Sequence, residues 1–243
     1  MVAQLLLLSN SSMPGKGPFA HVKDEIVDFF AARRTVHFVP YAQADHETYT
    51  ANIRAALKPL GVQVIGLPET SAAQQAIQDA EILFVGGGNS FRLLRSLQQL
   101  DLLDMVRQRV AAGTLRYMGS SAGSNMACPS LRTTNDMPIV QPASFTAFGL
   151  IPFQINPHYI DPDLASSHMG ETRVQRIEQF LEANDVAVLG MREGAWLRRD
   201  ANTLRLGGTT GARLFQRHQE PQELREGADL SWLLARPARF DQE

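Results

Sequence analysis

A single cysteine, Cys128, stands in a chain of 243 residues. That excludes an internal disulfide and a thiolate zinc site, and it suits a reducing compartment. Charge of one sign is not in excess either, since 23 Lys and Arg oppose 25 Asp and Glu for a formal charge of −2. With a pI near 6.3, the chain lacks the basic footprint of a nucleic-acid or anionic-membrane binder. Long apolar runs are also missing. Leu5-Leu6-Leu7-Leu8 has no basic segment before it and stops at Ser9-Asn10-Ser11-Ser12, so it reads as a buried strand rather than a secretory leader. No stretch approaches the roughly 20 apolar residues that span a bilayer. Linker-like breaks, internal repeats and low-complexity segments are absent. The expectation is one cytoplasmic domain over residues 1–243, free of membrane and nucleic acid.

What is there is an ordinary globular composition, 44% hydrophobic and 20% charged. Short, largely apolar runs at 5–8, 36–39, 62–65, 82–85 and 115–118 each end at Gly, Pro or Ser. Amphipathic stretches lie between and after them, at 19–32, 46–57, 72–78, 91–97 and 102–111. Continuous rather than alternating strands, separated by helices, predict a doubly wound α/β fold with a mostly parallel sheet covered on both faces. The second half is less regular: a short strand at 153–155, a helix at 172–181, a strand at 186–191, then strand-like pieces after Gly194. From Glu220 the charged, Pro-containing stretch reads as a loosely held tail.

In such a sheet, functional groups gather at the carboxyl ends of the strands. Two loops fit. Gly86-Gly87-Gly88-Asn89 follows the 82–85 strand but is neither a P-loop nor a dinucleotide fingerprint, because no Gly-Lys-Ser/Thr follows and Phe91 replaces the third glycine. It is either a tight turn or a loop whose bare backbone offers N–H donors to a ligand. Gly119-Ser120-Ser121-Ala122-Gly123 matches the nucleophile elbow, with Ser121 in phase. Of six histidines (21, 37, 46, 158, 168 and 218) none forms a metal-binding pair. His158, after the 153–155 strand, is the first candidate base, and His168 the second. Asp136 and Glu193 are the carboxylates that could orient it. Glu193 lies just past a strand end, while Asp136 lies in a turn-rich segment where Asp commonly caps backbone. Cys128, two helical turns after Ser121, reads as packing.

Read together, these residues resemble the peptidase E (α-aspartyl dipeptidase) family of serine peptidases. The likeness runs from Leu5-Leu6-Leu7-Leu8-Ser9-Asn10-Ser11 through Pro14-Gly15-Lys16 to about Gly208. Its most specific blocks are Val85-Gly86-Gly87-Gly88-Asn89-Ser90-Phe91 and Ser121-Ala122-Gly123-Ser124-Asn125. Arg132-Thr133-Thr134-Asn135-Asp136-Met137-Pro138, Gln154-Ile155-Asn156-Pro157-His158-Tyr159 and Gly170-Glu171-Thr172-Arg173 complete it. The resemblance implies a glutamine-amidotransferase-like α/β fold, Ser121 as nucleophile, His158 as base, and an acid at Asp136 or Glu193. It also implies Arg173 at the substrate's carboxylate; Asn89 is a further substrate-binding candidate, the Gly88 and Ala122 N–H groups are the candidates for the oxyanion hole, and no metal or cofactor is expected. Ser120 replaces a usually aromatic residue, and the chain diverges from about residue 209. The expected activity is hydrolysis of Asp-Xaa dipeptides by a monomer or dimer. The rival readings are a cyanophycinase-like hydrolase and a catalytically dead small-molecule-binding module.

Overall fold

Strands buried on both faces need apolar residues at every position, and helices must then cover each face. The computed structural model, which describes residues 2–70, 72–162 and 169–242, has that architecture. In the first half, β1 (Gln4–Leu8), α1 (Lys23–Phe30), β2 (Thr35–Val39), α2 (His46–Leu57), β3 (Gln63–Gly66), α3 (Ala73–Asp79) and β4 (Ile82–Val85) alternate. Then come α4 (Ser90–Gln99), α5 (Leu103–Ala111), β5 (Arg116–Ser120) and the one-and-a-half-turn α6 (Ala122–Ala127). The remainder is β6 (Gln154–Pro157), α7 (Arg173–Ala183), β7 (Val188–Met191), β8 (Ala195–Asp200), β9 (Thr203–Gly208), β10 (Ala212–Phe215) and β11 (Gln222–Leu224).

The main sheet has the order β3-β2-β4-β5-β1-β8-β9. Its first five strands are parallel, and β8 and β9 close one side as an antiparallel hairpin. Alternate side chains feed two cores. Leu6, Leu8, Phe38 and Phe84 pack with Ile26, Phe29, Ile53 and Leu57 of α1 and α2. Leu5, Leu7, Val39 and Val85 pack on the other face with Ile77, Leu93, Leu97, Val106 and Met126 of α3 to α6.

Three features depart from the sequence expectations. The helix expected from residue 19 starts only at Lys23, because Phe19 sits in the left-handed region (φ 60°), which an α-helix cannot include. Residues 154–157 and 188–191 do not extend the main sheet. They pair in parallel as β6 and β7 in a second sheet of order β11-β10-β7-β6. The final stretch is not loose. β11 pairs with β10, Leu224, Leu230 and Leu233 are buried, and residues 185 and 239 form a bridge. Its charges sit outward while these few leucines anchor it. No helix among the described residues is long and apolar enough to cross a membrane.

Candidate active site

Ser121 stands at the junction of β5 and α6 with φ 54° and ψ −112°, a region that costs a non-glycine residue free energy. The neighbouring glycines allow it. A Cβ on Gly123 would lie 2.0 Å from the Val85 carbonyl oxygen, and one on Gly119 would lie 2.6 Å from the Gly123 oxygen. The elbow is fastened to β1, since the Leu8 carbonyl accepts the Ser121 N–H at 3.0 Å and the Ser124 hydroxyl at 2.7 Å. The Gly86–Gly88 loop arches over it: a Cβ on Gly87 would stand 3.1 Å from that of Ser121, and the Tyr49 hydroxyl accepts the Gly87 N–H at 2.8 Å. Among the described residues, neither the Gly88 nor the Ala122 N–H has a protein acceptor.

His158 follows β6, and Glu193 follows its parallel neighbour β7, so both emerge from one end of the second sheet. The imidazole bridges the two other groups, with Nε2 2.9 Å from Ser121 Oγ and Nδ1 2.7 Å from Glu193 Oε1. A hydrogen-bond network holds this placement although His158 has φ 52°. The Ser9 hydroxyl accepts the His158 N–H at 2.9 Å and donates to the Met191 carbonyl. The Asn10 side chain accepts the Gly194 N–H at 2.7 Å. Asn135 donates to the Pro157 carbonyl and accepts from Asn156. Ser9 and Asn10 carry no motif of their own beyond their place after β1, and sequence reasoning gave them no role.

Asp136 lies elsewhere. Its Oδ2 accepts from the Ser90 N–H at 2.7 Å, the Ser90 hydroxyl at 2.5 Å and the Thr134 hydroxyl at 3.2 Å. It therefore secures the start of α4 directly after the glycine loop. Asn89 caps α4 by accepting the Arg92 N–H and donates to the Met137 carbonyl, so much of its polar capacity serves the fold. Arg173, the first residue of α7, is half-buried and has no carboxylate within ion-pair reach among the described residues. Burial and then Arg176 lower its pKa, with Asp136 opposing. His168 lies outside the described residues. Cys128 is buried and burial pushes its thiol up to about 12, which leaves no thiolate at neutral pH. Among the described residues no group of three or more His, Cys, Asp or Glu is placed to hold a metal ion.

A serine hydroxyl, an imidazole and a carboxylate in this sequence can deprotonate a nucleophile and stabilise the imidazolium that results. Comparison with known proteins finds peptidases. The model of peptidase family S51 matches residues 5–207. Peptidase E of Streptomyces coelicolor is 54% identical over 237 residues, covering 98% of this chain and 97% of that protein. A Drosophila melanogaster protein named "Probable alpha-aspartyl dipeptidase" is 47% identical over 232 residues, 95% of this chain and 97% of that one. The crystal structure of a peptidase from an acI-B1 Actinobacterium shares the fold with a TM-score of 0.68 at 15% identity, covering 95% of this chain and 97% of that one. The Streptomyces match extends well past residue 209, so the segment expected to diverge is shared with that relative.

Proposed function

The chain belongs to peptidase family S51 and is a serine-type dipeptidase, and from that premise we propose that it cleaves dipeptides bearing an N-terminal aspartate through an acyl-enzyme on Ser121. The observation that carries this reading is the run Ser121 Oγ, His158, Glu193 at 2.9 and 2.7 Å on a strained elbow. His158 Nε2 accepts the serine proton as Oγ attacks the aspartyl carbonyl carbon. That geometry requires the tautomer with hydrogen on Nδ1, donated to Glu193. The oxyanion forms against the Gly88 and Ala122 N–H groups, both left without a protein acceptor among the described residues. On collapse the C–N bond breaks and His158 returns the proton to the leaving amine. Water, deprotonated by the same imidazole, then attacks the ester and releases aspartate.

Selectivity rests on Arg173. A carboxylate leaving water needs a charged, hydrogen-bonding partner, and a guanidinium can grip both oxygens. Arg173 has no competing carboxylate in ion-pair reach among the described residues. Asn89, whose amide donates one hydrogen bond among the described residues, directly follows the glycine loop. Asp136 supports that loop rather than the imidazole. The whole chain acts as one catalytic domain, in a cytoplasmic setting that accords with Cys128 as a buried free thiol. A panel of Asp-Xaa, Glu-Xaa, Asn-Xaa and N-blocked dipeptides, with the aspartyl polymer cyanophycin alongside, tests the reading. Preferred hydrolysis of free Asp-Xaa supports it. Preferred cleavage of the polymer, or no cleavage of any member, overturns it.

A further inference from the structure

We propose that Arg192 is the positioning residue that holds His158 and Glu193 in register, and that the C-terminal strand takes part in the active site through Glu223. The proposal rests on the reading of Ser121, His158 and Glu193 as the reacting set. Arg192 directly precedes Glu193, and Asp161 lies three residues after His158. The guanidinium grips Asp161 through Nε at 2.6 Å and Nη2 at 3.0 Å. It grips Glu223 of β11 through Nη1 at 2.6 Å and Nη2 at 2.9 Å, and Nη1 also donates to the Thr210 carbonyl at 3.3 Å. All five N–H donors of the side chain are thereby used. Its Cζ lies over the Tyr159 ring, 5.9 Å from the centroid, and that ring also packs against Gly190 of β7, where a Cβ would be 2.6 Å away. Tyr159 is the neighbour of His158, so the base is followed at once by a ring in contact with both β7 and Arg192.

This arrangement answers a physical difficulty. The side chains of His158 and Glu193 are 38% and 49% exposed, and an imidazole–carboxylate hydrogen bond that open to water has little power to fix its own geometry. The Arg192 side chain is only 20% exposed and bidentate on both sides. It ties the segment carrying the base to the segment carrying the acid, while β11 supplies the outer wall. Its two carboxylates hold the Arg192 pKa well above the usual arginine range, and the guanidinium in turn lowers that of Asp161.

Steady-state hydrolysis of an Asp-Xaa dipeptide and the rate of Ser121 labelling by a fluorophosphonate are measured for wild type, Arg192→Met, Arg192→Lys, Glu223→Gln and Arg192→Met/Glu223→Gln, with melting temperatures throughout. A displacement of the imidazole by about 1 Å costs on the order of 100-fold. The expected result is a kcat lowered about 100-fold in Arg192→Met with KM within twofold, and partial recovery in Arg192→Lys. Glu223→Gln is expected to fall about fivefold, and the double variant to be no worse than Arg192→Met alone. Labelling should fall in parallel. Labelling and turnover within twofold of wild type in Arg192→Met, whatever the melting temperature, would overturn the proposal, as would effects that multiply in the double variant. Should Arg192→Met fail to fold, Glu223→Gln and Asp161→Asn decide by the same kcat and labelling criteria. If wild type is labelled at Ser121 but cleaves no Asp-Xaa dipeptide, the substrate reading fails while the labelling rates still judge Arg192.

Discussion

Replacing Glu193 by Gln removes a negative charge and keeps an acceptor oxygen near His158 Nδ1. In the ground state this costs little, because the neutral imidazole can still donate to an amide oxygen. During acylation the imidazole becomes a cation beside that oxygen, which lies 2.7 Å from Nδ1. Between charge centres about 4 Å apart, the attraction is about 1 kcal/mol in bulk water and about 4 kcal/mol at the effective dielectric of a protein surface. The exposure of both side chains places the pair between these limits, so about 2 kcal/mol is the working value. That corresponds to roughly a 30-fold loss in kcat, with KM nearly unchanged, since the interaction is made in the transition state. Asp136→Asn is the control. It disturbs the contacts to Ser90 and Thr134, so it should lower the melting temperature and change kcat by less than about fivefold. The assay is kcat and KM on one Asp-Xaa dipeptide, with thermal melts to separate folding from chemistry. A Glu193→Gln enzyme within threefold of wild type, beside an Asp136→Asn enzyme crippled in kcat, would refute the reasoning.

Gly123→Ala places a methyl against the Val85 carbonyl, a backbone atom that cannot swing away, and should cost at least about 1–3 kcal/mol by thermal melt together with the elbow's activity. Arg173→Met should abolish most discrimination between Asp-Xaa and Asn-Xaa in kcat/KM while sparing a small activated ester, and undiminished discrimination would assign the side-chain carboxylate to another cation. Because burial holds the Cys128 thiol near 12, a thiol reagent at pH 8 should leave the native enzyme unmodified and active, labelling it only in denaturant. Deleting residues 221–243 exposes the sites of Leu224, Leu230 and Leu233, each worth about 1.5–3 kcal/mol when buried, and should lower the melting temperature by about 10 °C or more.

The first half of the fold was legible because β1, β2, β4 and β5 are mostly buried on both faces and are correspondingly rich in apolar residues. The second sheet was not. β6 carries the buried polar side chains of Gln154 and Asn156, whose partners Ser130, Thr133 and Asn135 are about 20 residues away. The sequence marks the strand, but its buried polar groups are satisfied only by those distant partners, and nothing local shows that it pairs with β7 outside the main sheet. The C-terminal segment misleads for the opposite reason: three separated leucines anchor it, and no periodicity marks them. At the site, the elbow signals Ser121 through its own glycines, and a strand end signals His158. The choice between Asp136 and Glu193 depends on how β6 and β7 pair, which is a long-range fact. Ser9, 149 residues from His158, and Glu223, 31 residues from Arg192, act through contacts that no local pattern announces.

The central claim is that Ser121 Oγ becomes covalently joined to the substrate's aspartyl group. Rapid quenching in acid during turnover of an aspartyl ester, followed by mass spectrometry of the digested protein, observes that bond directly. The peptide carrying Gly119-Ser120-Ser121-Ala122-Gly123 should gain one aspartyl residue in wild type and none in Ser121→Ala, which should also be inactive. An adduct on any other residue, or turnover by Ser121→Ala at a rate near wild type, would contradict it.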